Sequence, residues 1–172
     1  MGPRSSKKDN LPPRGVGGDI VFPHIERYLE GLERTRDTVL RDMERLAAER
    51  DFPIVGPLVG RMVCLLARSI GARRILELGS GFGYSAYWFA RALPEDGELI
   101  LTEASAKNLA QAKAFFRQGG VRCQVRFEAG DAFEIIDRLP GEFDIVFNDV
   151  DKGQYPTAFH KAVPRVRIGG YF

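Results

Sequence analysis

Apolar positions along this chain alternate between two spacings. Short apolar runs at Arg73 to Leu78, Glu98 to Thr102, Val121 to Ala129 and Phe143 to Asn148 read as strands. Helical spacing fills the intervals. Asp37 to Arg50 carries Val39, Leu40, Met43, Leu46 and Ala47, and a helix that Pro57 can begin and Gly71 can end carries Leu58, Val59, Met62, Val63, Leu65 and Leu66. Tyr84 to Leu93 reads as a helix closed by the turn residues Leu93-Pro94-Glu95-Asp96-Gly97. Ser105 can cap the next, whose Leu109, Ala112, Phe115 and Phe116 face inward until Gly119-Gly120 stops it. Gly130-Asp131-Ala132 opens a short helix and Tyr155 to Val166 forms a final one, with Pro164 near its end; Gly169-Gly170 then turns into Tyr171-Phe172, where another strand starts. In front of these lie a short helix, Pro23 to Leu32, and an extended entry at Pro53, Ile54 and Val55. The alternation predicts an α/β fold, a Rossmann-like doubly wound sheet preceded by helices whose apolar stripes need a partner. That partner is either the cofactor cleft or a second subunit.

The chemistry gathers at Ile75 to Ser85, I-L-E-L-G-S-G-F-G-Y-S, where a strand breaks into three glycines and continues into a helix. Such a corner offers helix amides and bare backbone to a ligand. A dinucleotide fingerprint needs glycine at its first, third and sixth positions. Gly79 and Gly81 fit, but Tyr84 holds the sixth position and Gly83 comes one place early. Glu77, two residues before the first glycine, would repel a pyrophosphate but suits a ligand carrying an ammonium and a sulfonium, as S-adenosylmethionine does. Glu103, at the tip of the second strand, can accept both hydroxyls of a ribose or simply cap the following helix. Asp131 can cap its own helix and accept from an adenine amino group, two compatible roles. The same glycines would also serve a βα turn that holds no ligand.

Composition narrows the field further. A chain of 172 residues suits one domain, and 44% hydrophobic with 28% charged residues reads as globular. No apolar run reaches the roughly 20 residues of a membrane span, and the polar N-terminus does not read as a signal sequence, so a cytoplasmic protein without a membrane partner is expected. Residues 1–18 hold Arg4, Lys7, Lys8 and Arg14 against Asp9 alone, together with prolines and glycines, and are expected to be a disordered leader before a domain spanning 19–172. With the leader set aside the balance is slightly acidic, which argues against nucleic acid as a partner. Cys64 and Cys123, expected in a helix and a strand, have no metal or redox spacing.

The sequence from Ile20 to Phe172 resembles the cation-dependent O-methyltransferases, the family of catechol and caffeoyl-coenzyme A O-methyltransferases. The resemblance rests on L-E-L-G-S-G-F-G-Y-S at 76–85, L-P-E-D-G at 93–97, G-D-A at 130–132, F-N-D-V-D-K-G-Q-Y-P at 147–156 and the closing G-G. It implies that Glu77, Gly79, Gly81, Gly83, Tyr84 and Ser85 hold the methionine end of S-adenosylmethionine, that Glu103 binds the ribose and that Asp131 binds the adenine. It further implies that Asp149 is a carboxylate ligand for a divalent cation such as Mg2+, that Asp151 faces metal or substrate, and that Lys152 helps deprotonate the acceptor hydroxyl. The implied acceptor is a small hydroxylated aromatic, and the implied assembly a homodimer.

In that family an Asp-Asn pair after the next strand completes the metal site, so the chain is expected to represent an N-terminal portion that holds cofactor but cannot alone carry out metal-dependent transfer. Asn148 is no obvious replacement ligand, since adjacent strand positions point to opposite faces, and His24 and His160 do not supply one. Three other readings remain at this point: a methyltransferase for a hydroxylated base in transfer RNA, a non-catalytic module that binds cofactor, and, least supported, a nicotinamide oxidoreductase.

Overall fold

The computed structural model describes residues 22–32 and 37–172. The expected leader at residues 1–18, and the expected start of folding near Ile20, lie outside the described residues. Five parallel strands form one sheet: β1 (Arg74–Leu78), β2 (Glu98–Glu103), β3 (Gln124–Ala129), β4 (Phe143–Asn148) and β5 (Val166–Tyr171), in the order β3-β2-β1-β4-β5. The helices are α1 (Pro23–Leu32), α2 (Thr38–Arg50), α3 (Gly56–Ser69), α4 (Tyr84–Ala90), α5 (Ala106–Gln118), α6 (Ala132–Arg138) and α7 (Tyr155–Ala162). Strand succession reverses direction across β1 and β4, which makes their C-terminal ends the point where an open α/β sheet leaves a crevice.

Both faces of the sheet are covered, so its central strands are continuously apolar rather than alternating. Side-chain alternation then sends each residue to one of two layers. Ile75, Leu99, Leu101 and Ile145 pack with α2, α3, α4 and α5, while Leu76, Leu78, Ile100 and Val146 pack with α6 and α7. Glu77 shares the parity of Ile75 and therefore enters the first layer as a carboxylate among hydrocarbon, at 0% exposure. No helix among the described residues is long and apolar enough to cross a membrane.

The helix starts follow local chemistry. Asp37 is the N-cap of α2, outside the helix rather than its first residue, and its Oδ1 accepts from the amides of Val39 and Leu40. Ser105 caps α5 and Asp131 caps α6 in the same manner. Other boundaries move: α4 stops at Ala90, and β3 begins at Gln124, which leaves Cys123 ahead of the strand as a buried thiol.

The largest difference lies at the C-terminal end. The helix expected over Tyr155 to Val166 ends at Ala162, Pro164 sits in a 3-10 turn at Val163–Arg165, and β5 runs from Val166 through Gly169 and Gly170. Those glycines are strand residues, not a turn. A Cβ at Gly170 would lie 2.5 Å from the Asp144 carbonyl and 2.7 Å from Val166 Cγ1, at a register shift between β4 and β5. The pair marks a close approach of two strands. The fourth strand is accordingly paired on both sides, and β5 is the outer strand.

Candidate active site

A cleft of about 690 Å³ opens at the C-terminal ends of β1, β2 and β4. Its floor is the glycine turn, held by backbone geometry from both flanks. Thr102, fully buried, accepts from the Gly79 amide through Oγ1 at 3.2 Å, donates to the Glu77 carbonyl at 2.9 Å, and receives the Ser80 amide on its carbonyl at 2.8 Å. On the other flank the Asp149 amide donates to the Leu78 carbonyl at 2.9 Å. Gly79 has φ 81°, and a Cβ there would lie 2.8 Å from the Asp149 carbonyl oxygen. The turn needs glycine at this position because the β4 loop presses on it, a different reason from the ligand approach expected of it.

The structure brings most of the expected residues together. Gly79, Gly81, Tyr84, Ser85, Glu103, Asp131, Asp149, Asp151 and Lys152 all line this one cleft. Two do not. Gly83 is the N-cap of α4 at φ 86°, packed against Ala112 and Phe116. Glu77 lies beneath the floor, where Ser85 Oγ donates to its Oε1.

Glu103 binds the turn to the next helix. Its Oε2 accepts from the Gly81 amide at 2.8 Å, and its Oε1 accepts from the Ser105 amide at 2.8 Å and from Asn108 Nδ2 at 3.4 Å. An ionised carboxylate has about four acceptor positions, so one is left for a ligand hydroxyl. Asp131 uses only Oδ1 for its cap, taking the Phe133 and Glu134 amides at 2.8 and 3.0 Å. Asp131 lines the same cleft.

Burial pushes the Glu77 carboxyl up to about 7; the Ser80 and Ser85 hydroxyls pull it back, and the charges of Asp149 and Glu103 push it further up. Among the described residues neither Glu77 Oε2 nor Ser80 Oγ, both buried, has a partner in good hydrogen-bond geometry, although the Ser80 hydroxyl is near enough to act on the carboxyl. The unpartnered carboxyl oxygen buried beneath the turn favours positive charge in the cleft above it, so this corner fits a ligand bearing an ammonium. Desolvation also raises the Asp149 carboxyl above its ordinary value.

The opposite lip is formed by Asp149 and by Asp151, Lys152, Gln154 and Tyr155 around the 3-10 turn Lys152–Gln154. Elsewhere on the sheet Arg74, Glu98, Arg126, Glu128 and Arg138 form a chain of ion pairs. Asp149, Asp151 and Lys152 take part in no ion pair among the described residues, so internal salt bridges do not account for their charges. Among the described residues no group of three or more His, Cys, Asp or Glu side chains could hold a metal ion. Asp149 and Asp151 alone do not make a closed site for a hard cation, which takes about six oxygen ligands.

Several lining residues escape sequence reasoning. Phe52, Pro53, Ile54 and Val55 build one wall, and Thr102, Asn108, Phe133 and Tyr155 also line the cleft. The extended entry at Pro53 to Val55 is visible as a segment, but nothing local says that it folds back across the glycine turn.

The chain matches the family model described as O-methyltransferase over residues 33–172. It is 36% identical over 155 residues to the catechol O-methyltransferase of Niastella koreensis, an alignment covering 87% of this chain and 70% of that protein. Its structure is similar to that of the O-methyltransferase from Bacillus cereus in complex with SAH, with TM-score 0.75 and 29% identity over 84% of this chain and 68% of the other. It is also similar to TomG from Streptomyces achromogenes, an O-methyltransferase involved in tomaymycin synthesis and solved in complex with SAM, with TM-score 0.76 and 33% identity over 84% and 67% of the two chains.

Proposed function

Since the chain belongs to the O-methyltransferase family, we propose that it transfers the methyl group of S-adenosylmethionine to a hydroxyl of a small, catechol-like aromatic acceptor. The observation that carries this reading is one cleft with the glycine turn and Glu103 on one side and, on the other, Asp149, Asp151 and Lys152, which take part in no ion pair among the described residues. When bound, S-adenosylmethionine supplies an activated methyl carbon on a sulfonium, positively charged and ready for in-line displacement by an oxygen.

The residues divide the work by position. Glu103 takes one ribose hydroxyl with its remaining acceptor position, and Asp131 takes the adenine amino group with Oδ2. Gly79, Gly81, Tyr84 and Ser85 surround the methionine end. Glu77 acts from below, where its acceptor oxygen and partial negative charge favour an ammonium over a pyrophosphate. Lys152 holds the acceptor oxygen and accepts its proton, while holding both reactants in one cleft removes most of the entropic cost of their meeting. The family's cation is the further part of the reading: Asp149, helped by Asp151, would supply two oxygen ligands, and acceptor oxygens, water or other groups would have to supply the rest. A homodimer and a cytoplasmic location belong to the same proposal.

Calorimetry tests it directly. S-adenosylmethionine should bind, NAD should not, and Glu103→Ala should weaken binding by about 1–3 kcal/mol, the range for hydrogen bonds to a charged group. Lys152→Met should retain that affinity and lose methyl transfer to a catechol. Tight NAD binding without a response to S-adenosylmethionine overturns the reading.

A further inference from the structure

The cleft wall at Phe52 to Val55 is a thin partition. Residue Asp51 ends α2 in the left-handed conformation at φ 49°, and the chain then doubles back, with the Phe52 amide donating to the Ala47 carbonyl at 2.9 Å. The Phe52 ring lies on the glycine turn: it stands 3.0 Å from the position a Cβ would take at Gly81, and its centroid is 5.1 Å from that of Phe82. Behind the wall is a shallower hollow of about 440 Å³, bounded by Glu44, Ala48, Asp51 and the same Phe52, Pro53 and Ile54. A partition with space on both sides needs something else to fix its position.

The fixing contact comes from the far side of the glycine turn. Tyr84, the first residue of α4 and 3% exposed, donates its hydroxyl hydrogen bond to Glu44 Oε1 at 2.7 Å. Glu44 stands seven positions before Asp51, two turns along α2 and on the side of the hollow. The bond therefore links the helix that carries the partition to the helix that begins at the cofactor turn. Glu44 does not line the main cleft.

We propose that Glu44 is a positioning residue for cofactor binding: by accepting the Tyr84 hydroxyl it holds the partition 51–55 closed on the glycine turn. The proposal rests on the S-adenosylmethionine reading above. It makes Glu44 matter for affinity without touching the ligand.

Calorimetric titration of the purified chain with S-adenosylmethionine, on Glu44→Ala, Glu44→Gln, Tyr84→Phe and the Glu44→Ala/Tyr84→Phe double variant, tests it. Glu44→Ala should weaken binding roughly tenfold, the scale of one lost hydrogen bond. In the Tyr84→Phe background the same change should cost nothing further, because the contact is already gone. Glu44→Gln should bind as the wild type does, since its amide oxygen still accepts. Hydrogen exchange should show faster exchange at the Phe52, Ile54 and Val55 amides in Glu44→Ala with unchanged protection at Ile100 and Leu101. Wild-type affinity in Glu44→Ala, additive losses in the double variant, or a fall in affinity that tracks a loss of core protection each overturn the proposal while leaving the cofactor reading intact. A wild-type chain that ignores S-adenosylmethionine removes the reading and the proposal together.

Discussion

Burial of the Glu77 carboxyl favours its protonated form, and the effect on stability has a definite sign. Its folded value of about 7 stands above the ordinary value of 4.5, so between those limits the native state binds more proton than the unfolded chain. Stability from this group is full below about pH 4.5, falls as pH rises, and is lost above about 7, by up to about 3 kcal/mol. Glu77→Gln keeps an acceptor for Ser85 and removes the titration. Urea unfolding at pH 5 and pH 7.5 should show the wild type losing more stability than the variant over that interval; equal losses would remove the argument. The positions of Glu103 and Asp131 at the cleft are legible in sequence because they depend only on distance from a strand end or a helix start, whereas the burial of Glu77 beneath the floor follows from which layer its strand parity faces. Glu44 and Phe52 are not, because their contacts cross 40 and roughly 30 positions respectively and depend on how α2 folds back.

At the scale of the element, β5 shows what local pattern misses. Pro164 and the Gly169-Gly170 pair carry turn signals, and a glycine-containing strand offers no continuous apolar run to set against them. The strand forms because tertiary contacts specify it. Asp144 on β4 accepts from the Arg73 and Arg74 amides at 2.7 Å each and from Arg167 on β5. Burial alone would raise the Asp144 carboxyl, but Arg167 and those two amides hold it below its ordinary value. Gly170→Ala places a methyl against the Asp144 carbonyl and should open this seam, costing about 1–3 kcal/mol on the scale of an overpacked site. Thermal unfolding is the measurement, with Gly153→Ala, whose Cβ meets nothing within 4 Å, as the comparison. Equal melting temperatures for the two variants would mean that β5 yields at no cost.

On the scale of the molecule, the described surface has two apolar faces. One joins Ile25, Tyr28 and Leu32 of α1 to Val59, Met62 and Leu65 of α3, the last two 58% and 65% exposed. The other combines Phe159 of α7 with Ile168 and Phe172 at the outer strand. The proposed homodimer, formed through the helical face, would cover α1 and the exposed side of α3, whereas the stripe of α2 at Val39, Leu40, Met43 and Ala47 is already buried in the chain's own core rather than against the cleft or a second subunit. Light scattering should then give a dimer that Met62→Glu with Leu65→Glu converts to monomer and that Ile168→Lys leaves intact. A monomer at every concentration, or dissociation by Ile168→Lys alone, would remove the helical face as the contact.

The order of the strands also sets the order in which the cleft can be assembled. Arg74 meets Glu98 across 24 positions but meets Asp144 across 70, so the second closure costs about 1 kcal/mol more in chain entropy. The glycine turn, Glu103 and Asp131 belong to the β1-β2-β3 half, whose contacts need only the nearer closures. Asp149 and Lys152 arrive with β4, whose loop must then settle on Gly79. During synthesis the half proposed to recognise a nucleoside can therefore condense while the half proposed to handle an acceptor is still unmade, and the glycine turn is the joint at which the later half is fitted to the earlier.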